Sequence, residues 1–280
     1  NLSPIYAAGS YTQNIIIAPS MGQPTFDGII AKFDNTSTLN WFTFYGTNGT
    51  SPDDDALFGI DIDGTNVYVC GQANTGTLPG SINSGSGGIL TKFSTSGALT
   101  SARWTNNNLW NYSVKVNNNK VYTCGYSFLG VSLLNSGNYY FNNTAVGGQA
   151  CFGVYDASLT NIHYTKFGGT NGENWAIDIQ FAPSGVFYIS GRTDASNFPI
   201  NTPSGMYSSG LTGSFNYFVA AFKENNPNII WSTVIGSQNF DGIGDGLLHC
   251  TSSALDGQGF LHLCGSTNSS NTYPLSTNNS

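Results

Sequence analysis

Two unrelated markers recur along this chain with one period, and a repeat of that length limits the fold more than any other feature. The first is a Tyr-x-[Cys/Ser]-Gly tetrad, present as Tyr68-Val69-Cys70-Gly71, Tyr122-Thr123-Cys124-Gly125 and Tyr188-Ile189-Ser190-Gly191. Variants flank it at Tyr6-Ala7-Ala8-Gly9 and His262-Leu263-Cys264-Gly265, and the five glycines lie 62, 54, 66 and 74 residues apart. The second is an apolar run ending in an aromatic, at Phe33, Phe93, Tyr155 and Phe222, spaced by 60, 62 and 67 residues. A further apolar run follows each of these: Leu39 to Tyr45, Leu99 to Trp104, Ile162 to Phe167 and Ile229 to Ile235.

Each unit therefore reads as four strands, named A to D in chain order. A ends in the aromatic, and B is the following Trp- or Tyr-bearing run. C alternates apolar with polar or small residues, as in Phe58, Ile60 and Ile62 against Gly59, Asp61 and Asp63. The same beat recurs at Tyr112, Val114 and Val116 and at Ile177, Ile179 and Phe181, the mark of a strand with one buried face. Turns at 63–66, 117–119 and 183–185 use residues that tolerate positive φ, and D then runs into the tetrad. Helix signals are nearly absent. The expected fold is all-β: a single β-propeller domain, complete or partial, over residues 1–280, built from four-stranded antiparallel blades. Its units span about 27–79, 88–134, 150–199 and 217–275, with 1–26 the tail of a preceding unit. A two-sheet sandwich does not need a period near sixty, and a parallel β-helix has a much shorter one.

Composition agrees with short strands and polar turns. Charged residues make up 8% and aromatics 14%, the reverse of a disordered chain. The net charge is −7, and the eight basic residues are scattered, so no Lys/Arg track exists for a nucleic acid. No apolar run is long enough to span a membrane as a helix. The chain opens on Asn1 with no signal peptide, which reads as a mature or excised segment, and its charge-poor Asn/Ser/Thr-rich surface points outside the cell.

Unit three carries a family resemblance. It reads Phe152-Gly153-Val154-Tyr155-Asp156, Tyr164-Thr165-Lys166-Phe167-Gly168-Gly169 and Ile177-Asp178-Ile179. It continues through Pro183-Ser184-Gly185-Val186-Phe187-Tyr188-Ile189-Ser190-Gly191-Arg192-Thr193 and ends on Asn197-Phe198-Pro199. This resembles the SBBP repeats, seven-bladed β-propeller repeats of large bacterial surface and secreted proteins, over nearly the whole chain. The Gly-to-[Leu/Phe/Tyr]-Pro step recurs at Gly71 to Pro79, Gly191 to Pro199 and Gly265 to Pro274. Unit two lacks that proline and has Thr105-Asn106-Asn107 where a glycine pair would stand. The resemblance implies a propeller in an extracellular setting and supplies no catalytic residues.

His163, His249 and His262 lack metal-ligand spacing and read as strand histidines. Asp53, Asp54, Asp55, Asp61 and Asp63 invite a calcium reading, and Asp61-x-Asp63-Gly64-x-Asn66 echoes part of an EF-hand loop. The bidentate Glu is missing, however, and a strand with its turn already explains the stretch. Sequons at Asn35, Asn48, Asn111, Asn142 and Asn268 read as chance in so Asn/Ser/Thr-rich a chain. Trp41, Trp104, Trp110, Trp175 and Trp231 read as blade packing, with a sugar site as the rival. The slot of Cys70, Cys124 and Cys264, shared with Ala8 and Ser190, asks for a small buried side chain, and Cys250 falls roughly opposite Cys264.

No catalytic, cofactor or metal site is expected, and the chain is read as not an enzyme. The expected function is a non-catalytic extracellular scaffold whose loops bind a protein or a surface, with a glycan-binding lectin-like propeller as the alternative. The strand count, four complete units plus one orphan D, also leads us to expect further blades before Asn1, after Ser280 or on a partner chain.

Overall fold

The computed structural model describes residues 5–11 (backbone only), 27–47, 55–74, 76–106, 109–128, 147–204, 206–211, 215–224, 226, 228–236 and 252–266. Every regular element among them is a strand, and the strands form successive antiparallel sheets, so the chain is all-β and of the β-propeller class. The first sheet joins β1 (Ile5–Tyr11), β2 (Asp27–Phe33) and β3 (Leu39–Tyr45). The second holds β4 (Ala56–Ile62), β5 (Asn66–Ala73), β6 (Gly87–Ser94) and β7 (Leu99–Asn106) in that order. The third runs β8 (Leu109–Asn117), β9 (Lys120–Ser127), β10 (Gln149–Asp156) and β11 (Asn161–Phe167). The fourth runs β12 (Asn174–Phe181), β13 (Val186–Thr193), β14 (Asn216–Lys223) and β15 (Trp231–Ile235). A last pair joins β16 (Ser252–Leu255) to β17 (Leu261–Cys264).

The sheets are cut from the repeat in a different frame from the sequence units. Each complete sheet is C-D-A-B: strand D pairs with the A of the following unit, as in Cys70↔Leu90 and Ser190↔Val219. There are thus three complete four-stranded sheets among the described residues instead of four, and the D strand expected to be an orphan, β1, pairs with β2. The reason lies in the D-to-A loop. In the second and fourth sheets, where parts of it are described, that loop folds back over the outer edge of its own sheet. In the second sheet Ser81 bridges Ala102, and the Asn83 side chain pairs with both the N–H and the C=O of Trp104. In the fourth, Asn201 bridges Ser232, antiparallel where the Ser81 bridge is parallel. The [Leu/Phe]-Pro step anchors this cover: Leu78 and Phe198 are buried, Phe198 stacking on Phe218, and the Pro79 and Pro199 carbonyls accept from Tyr45 and Ser232. A covered edge has no free ladder groups to recruit another strand.

The tetrad glycine has an equally local cause. The C–D ladder of each four-stranded sheet carries a bulge at one place, between Leu57 and Gly59, Asn111 and Ser113, and Ala176 and Asp178. The bulge pushes a carbonyl over the D strand, and a Cβ on Gly71, Gly125 or Gly191 would run into the C=O of Ala56, Trp110 or Trp175. The preceding slot is buried as expected at Cys70, Cys124 and Ser190; Cys264, in the two-stranded last pair, is an exposed free thiol. Its register partner is Ser252, and Cys250 lies outside the described residues. β4 departs from the expected burial of Phe58, Ile60 and Ile62 on one face. Leu57 is buried and Ile60 packs beside it, whereas Phe58 and Ile62 are 41% and 39% exposed.

Two compact units divide the chain. One comprises Asn1–Ser136 with Phe152–Tyr164, the other Gly137–Cys151 with Thr165–Ser280. In the first unit β4 and β8 come so close that a Cβ on Gly59 would meet the Ser113 and Val114 backbone. Cys70 Sγ reaches the Asn111 carbonyl there, and Asp61 accepts from the Val116 N–H at 2.6 Å. Lys32 and Lys92, at equivalent A-strand positions, each donate to a carbonyl in the next A–B turn, those of Thr95 and Ala157. In the second unit Asp178 and Gln180 perform the C-to-C link, bonding Ser253 at 2.8 and 2.7 Å.

Candidate functional site

At the joints of the first sheet with the second and of the third with the fourth, the start of A, the end of B and the start of C converge on a glycine, Gly46 or Gly168. The residue opening A and the residue before or opening C flank that glycine, and three sheet-to-sheet joints solve this meeting in three ways. Between the first and second sheets the flanking pair is Asp27 and Asp55 around Gly46. Both aspartates are 2% exposed, and Asp55 Oδ2 and Asp27 Oδ1 lie 2.5 and 2.7 Å from where a Gly46 Cβ would stand. Asp55 accepts from the Thr47 N–H, the Thr47 hydroxyl and the Asn74 N–H, tying the end of β3 to the end of β5. Burial, against those hydrogen bonds and with help from the Asp27 charge, pushes the Asp55 carboxyl up to about 6. Burial also raises Asp27.

Between the third and fourth sheets, within the second unit, the equivalent pair is Gln149 and Asn174 around Gly168. Asn174 is wholly buried; its Nδ2 donates to the Gly148, Gly169 and Gly172 carbonyls, and its Oδ1 accepts from Gly169 N–H and Thr193 Oγ1. Gln149 Nε2 adds a bond to the Gly169 carbonyl at 2.8 Å. An amide supplies both donors and acceptors, so it can serve loop carbonyls that a carboxylate would repel. At the middle joint the equivalent positions are Gly87 and Leu109, and Asn111 takes over, its Nδ2 donating to Ile89 O and Thr105 Oγ1. Thr105, which marked a departure from the repeat, is thus part of that solution.

At the turns, polar side chains are spent on the turns themselves. The A–B hairpins at Asp34, Ser94 and Asp156 share one design: a residue at positive φ (Ser37 65°, Gly97 90°, Leu159 65°) follows a tight turn, and the opening side chain accepts from the chain four residues on. Hydrogen bonds from Thr36 and from Ser158 hold the Asp34 and Asp156 carboxyls below the usual range. Leu159 is wholly buried although it sits at a hairpin tip, and its carbonyl receives Arg103 Nη1. Asp63 closes the first C–D turn by accepting from Thr65, Asn66 and Tyr68. Burial is the largest single influence on it and raises it, but the Asn66 and Thr65 hydrogen bonds together hold it well below the usual range.

The residues singled out in the sequence are therefore dispersed. Asp55, Asp61 and Asp63 each serve a different backbone segment, and Asp53 and Asp54 lie outside the described residues. His163 is 4% exposed beside Phe152, and burial lowers it to about 4. His262 pairs with Asp256 at 3.0 Å on the surface, and His249 lies outside the described residues. None of the five tryptophans is among the large exposed apolar side chains. Trp41 packs on Gly97 and donates to Thr95 O, Trp110 meets Phe128 edge-on, and Trp231 lies against Tyr188. Trp175 stacks on Arg192, whose guanidinium sits 4.3 Å from its ring and 4.6 Å from that of Phe215. Asn35 is exposed in its turn, Asn111 is wholly buried, and Asn48, Asn142 and Asn268 lie outside the described residues. The Asp27–Asp55 pair is absent from the sequence expectations, since 27 residues separate its members beyond any local motif. The available signal was that polar residues recur at the same repeat position as Asp27, at Gln149 and Asn216.

No family model matches the sequence, and no curated protein matches it. Nine chains of solved structures match. One, a europium-containing methanol dehydrogenase, is similar over 74% of this chain with a TM-score of 0.41 and 11% identity. The matched region spans 39% of that enzyme's chain, and a likeness of this strength carries no argument about activity.

Proposed function

We propose that this chain is a non-catalytic scaffold of an extracellular or cell-surface protein, related to the SBBP repeats, whose braced loops bind a protein or surface partner. The observation that carries the reading is the use of polar side chains at the turns. Asp34, Asp63, Asp156 and Asp256 each accept from the backbone of the turn they open, so the loops are held in one shape by their own residues. A loop ordered in advance loses little entropy on binding, which suits presentation to a partner. The described parts of the D-to-A loops of the second and fourth sheets add rigidity by lying on the outer strands. The charge-poor, acidic composition supports the extracellular setting and speaks against a nucleic-acid partner.

The test is a binding survey of the purified chain against extracellular-matrix proteins and an array of glycans, followed by mass spectrometry of whatever binds. The scaffold reading expects a protein ligand, retained in the presence of free sugars and recovered chemically unchanged. Competition by a free monosaccharide would move the chain to the lectin class, and a bound ligand whose mass has changed would overturn the non-catalytic reading.

A further inference from the structure

We propose that Asp27 and Asp55 form a pH-operated joint between the first and second sheets, closed when the pair holds a proton in mild acid and loosened when both carboxylates are charged. The inference stands apart from the functional reading above. Its geometric basis is that two buried carboxylates face one another across Gly46, with room between them only because that residue lacks a Cβ. Two carboxylates buried on either side of one glycine cannot both ionise without cost, and a proton on either one removes the repulsion.

The surroundings offer no compensating cation. Among the described residues no lysine, arginine or histidine forms an ion pair with either carboxylate. From β3 the titratable neighbour is the Tyr45 phenol, raised chiefly by burial and further by the Asp55 charge. The end of β5 contributes the neutral Asn74 N–H, and β1 places Tyr11 opposite Asp27 in backbone register. The Asp55 carboxyl, pushed up to about 6, therefore titrates just below neutrality. Its position matters mechanically: Asp55 immediately precedes β4 and holds Thr47, two residues past the end of β3, so the pair lies on a connection between the two sheets. The same repeat positions elsewhere hold Gln149 and Asn174, which do not titrate, or Gly87 and Leu109. The molecule thus contains its own controls.

The sign follows from linkage. A carboxyl raised above its unfolded value contributes stability that is present below the unfolded value and lost as pH rises through the folded one, here between about 4 and about 6. His163 acts in the opposite sense over much of the same range, so the readout has to be local. Amide protection factors by NMR serve, at about pH 7.5 and about pH 5. For a group shifted this far, protection of the Thr47 amide is expected to rise about tenfold on acidification, while the Gly169 amide stays level. Asp27→Asn is expected to lower the Asp55 midpoint in a carbon-13 carboxyl titration and to shrink the rise at Thr47. A flat Thr47 profile in the wild-type chain, or a rise and midpoint unchanged by Asp27→Asn, overturns the joint. If Asp27→Asn does not fold, the wild-type titration decides: an Asp55 midpoint at or below the ordinary aspartate value overturns it, and one near 6 upholds it.

Discussion

The joint between the first and second sheets and the joint between the third and fourth occupy the same place in the repeat and hold it with opposite chemistry. The first uses two carboxylates, one of which accepts three donors. The second uses two amides: Gln149 donates to loop carbonyls, and Asn174 both donates to three carbonyls and accepts twice through its own oxygen. What a position in a repeat requires is a polar group of the right reach; which polar group depends on whether the neighbouring loop turns N–H or C=O groups inward. The glycine-rich turn at 168–172 turns in carbonyls, and so it needs an amide.

Exchanging the chemistry is the strongest way to break this comparison. Asn174→Asp removes the donors to Gly148, Gly169 and Gly172 and places a buried charge against their carbonyls. A loss of at least about 3 kcal/mol at neutral pH is expected, partly restored in acid, since unpaired buried charge is the costliest single defect. Chemical denaturation of the second unit checks it, and a loss below about 1 kcal/mol would show that the amide is not required.

A second test separates the carboxylate joint from the other acid-sensitive group in the same unit. Burial holds the His163 imidazole down at about 4, so the neutral form is favoured in the folded chain. Stability tied to His163 is therefore present above its unfolded value and lost as pH falls from about 6.5 through about 4, up to about 3 kcal/mol. His163→Phe is expected to remove that loss and to reveal the opposite slope from Asp55 in melts across pH 4 to 7. Identical pH profiles for the variant and the wild type would deny the histidine this role.

Smaller effects attend the turns. Lys92 bonds the Ala157 carbonyl, and Val154 stands at its repeat position one sheet later. Lys92→Met should cost about 0.5–1 kcal/mol in thermal melts, the ordinary worth of one exposed charge-assisted bond. Smallest of all, Ser37→Gly should gain a few tenths to about 1 kcal/mol by relieving positive φ at an exposed residue. Leu159→Gly, at the same turn position and φ, should instead destabilise, because that leucine is wholly buried. Stabilisation of both would mean the buried tip contributes nothing.

Much of this architecture was legible in the sequence because it is local. Alternation places β8 and β12 with Val114 and Ile179 inward, since the strand period is two and water sits on one side only. The small buried slot was visible as Cys70, Cys124 and Ser190 in register. Tandem units too small to bury their own faces pointed to stacked four-stranded sheets. By contrast, Phe58 and Ile62 are exposed although Tyr112 and Ile177, at the bulged position of β8 and β12, are buried, so alternation alone does not say how much of a strand face is covered.

The sequence by itself determined the all-β class, the repeat and the strand order, because backbone periodicity and turn chemistry are written within a few residues. Only the tertiary structure decided where one sheet ends and the next begins, because D pairs with the next A through ladder bonds that no local pattern encodes. It alone also brought Asp27 to Asp55 across Gly46. A charge buried beside its like becomes a feature of the molecule when packing removes the water that would otherwise screen it.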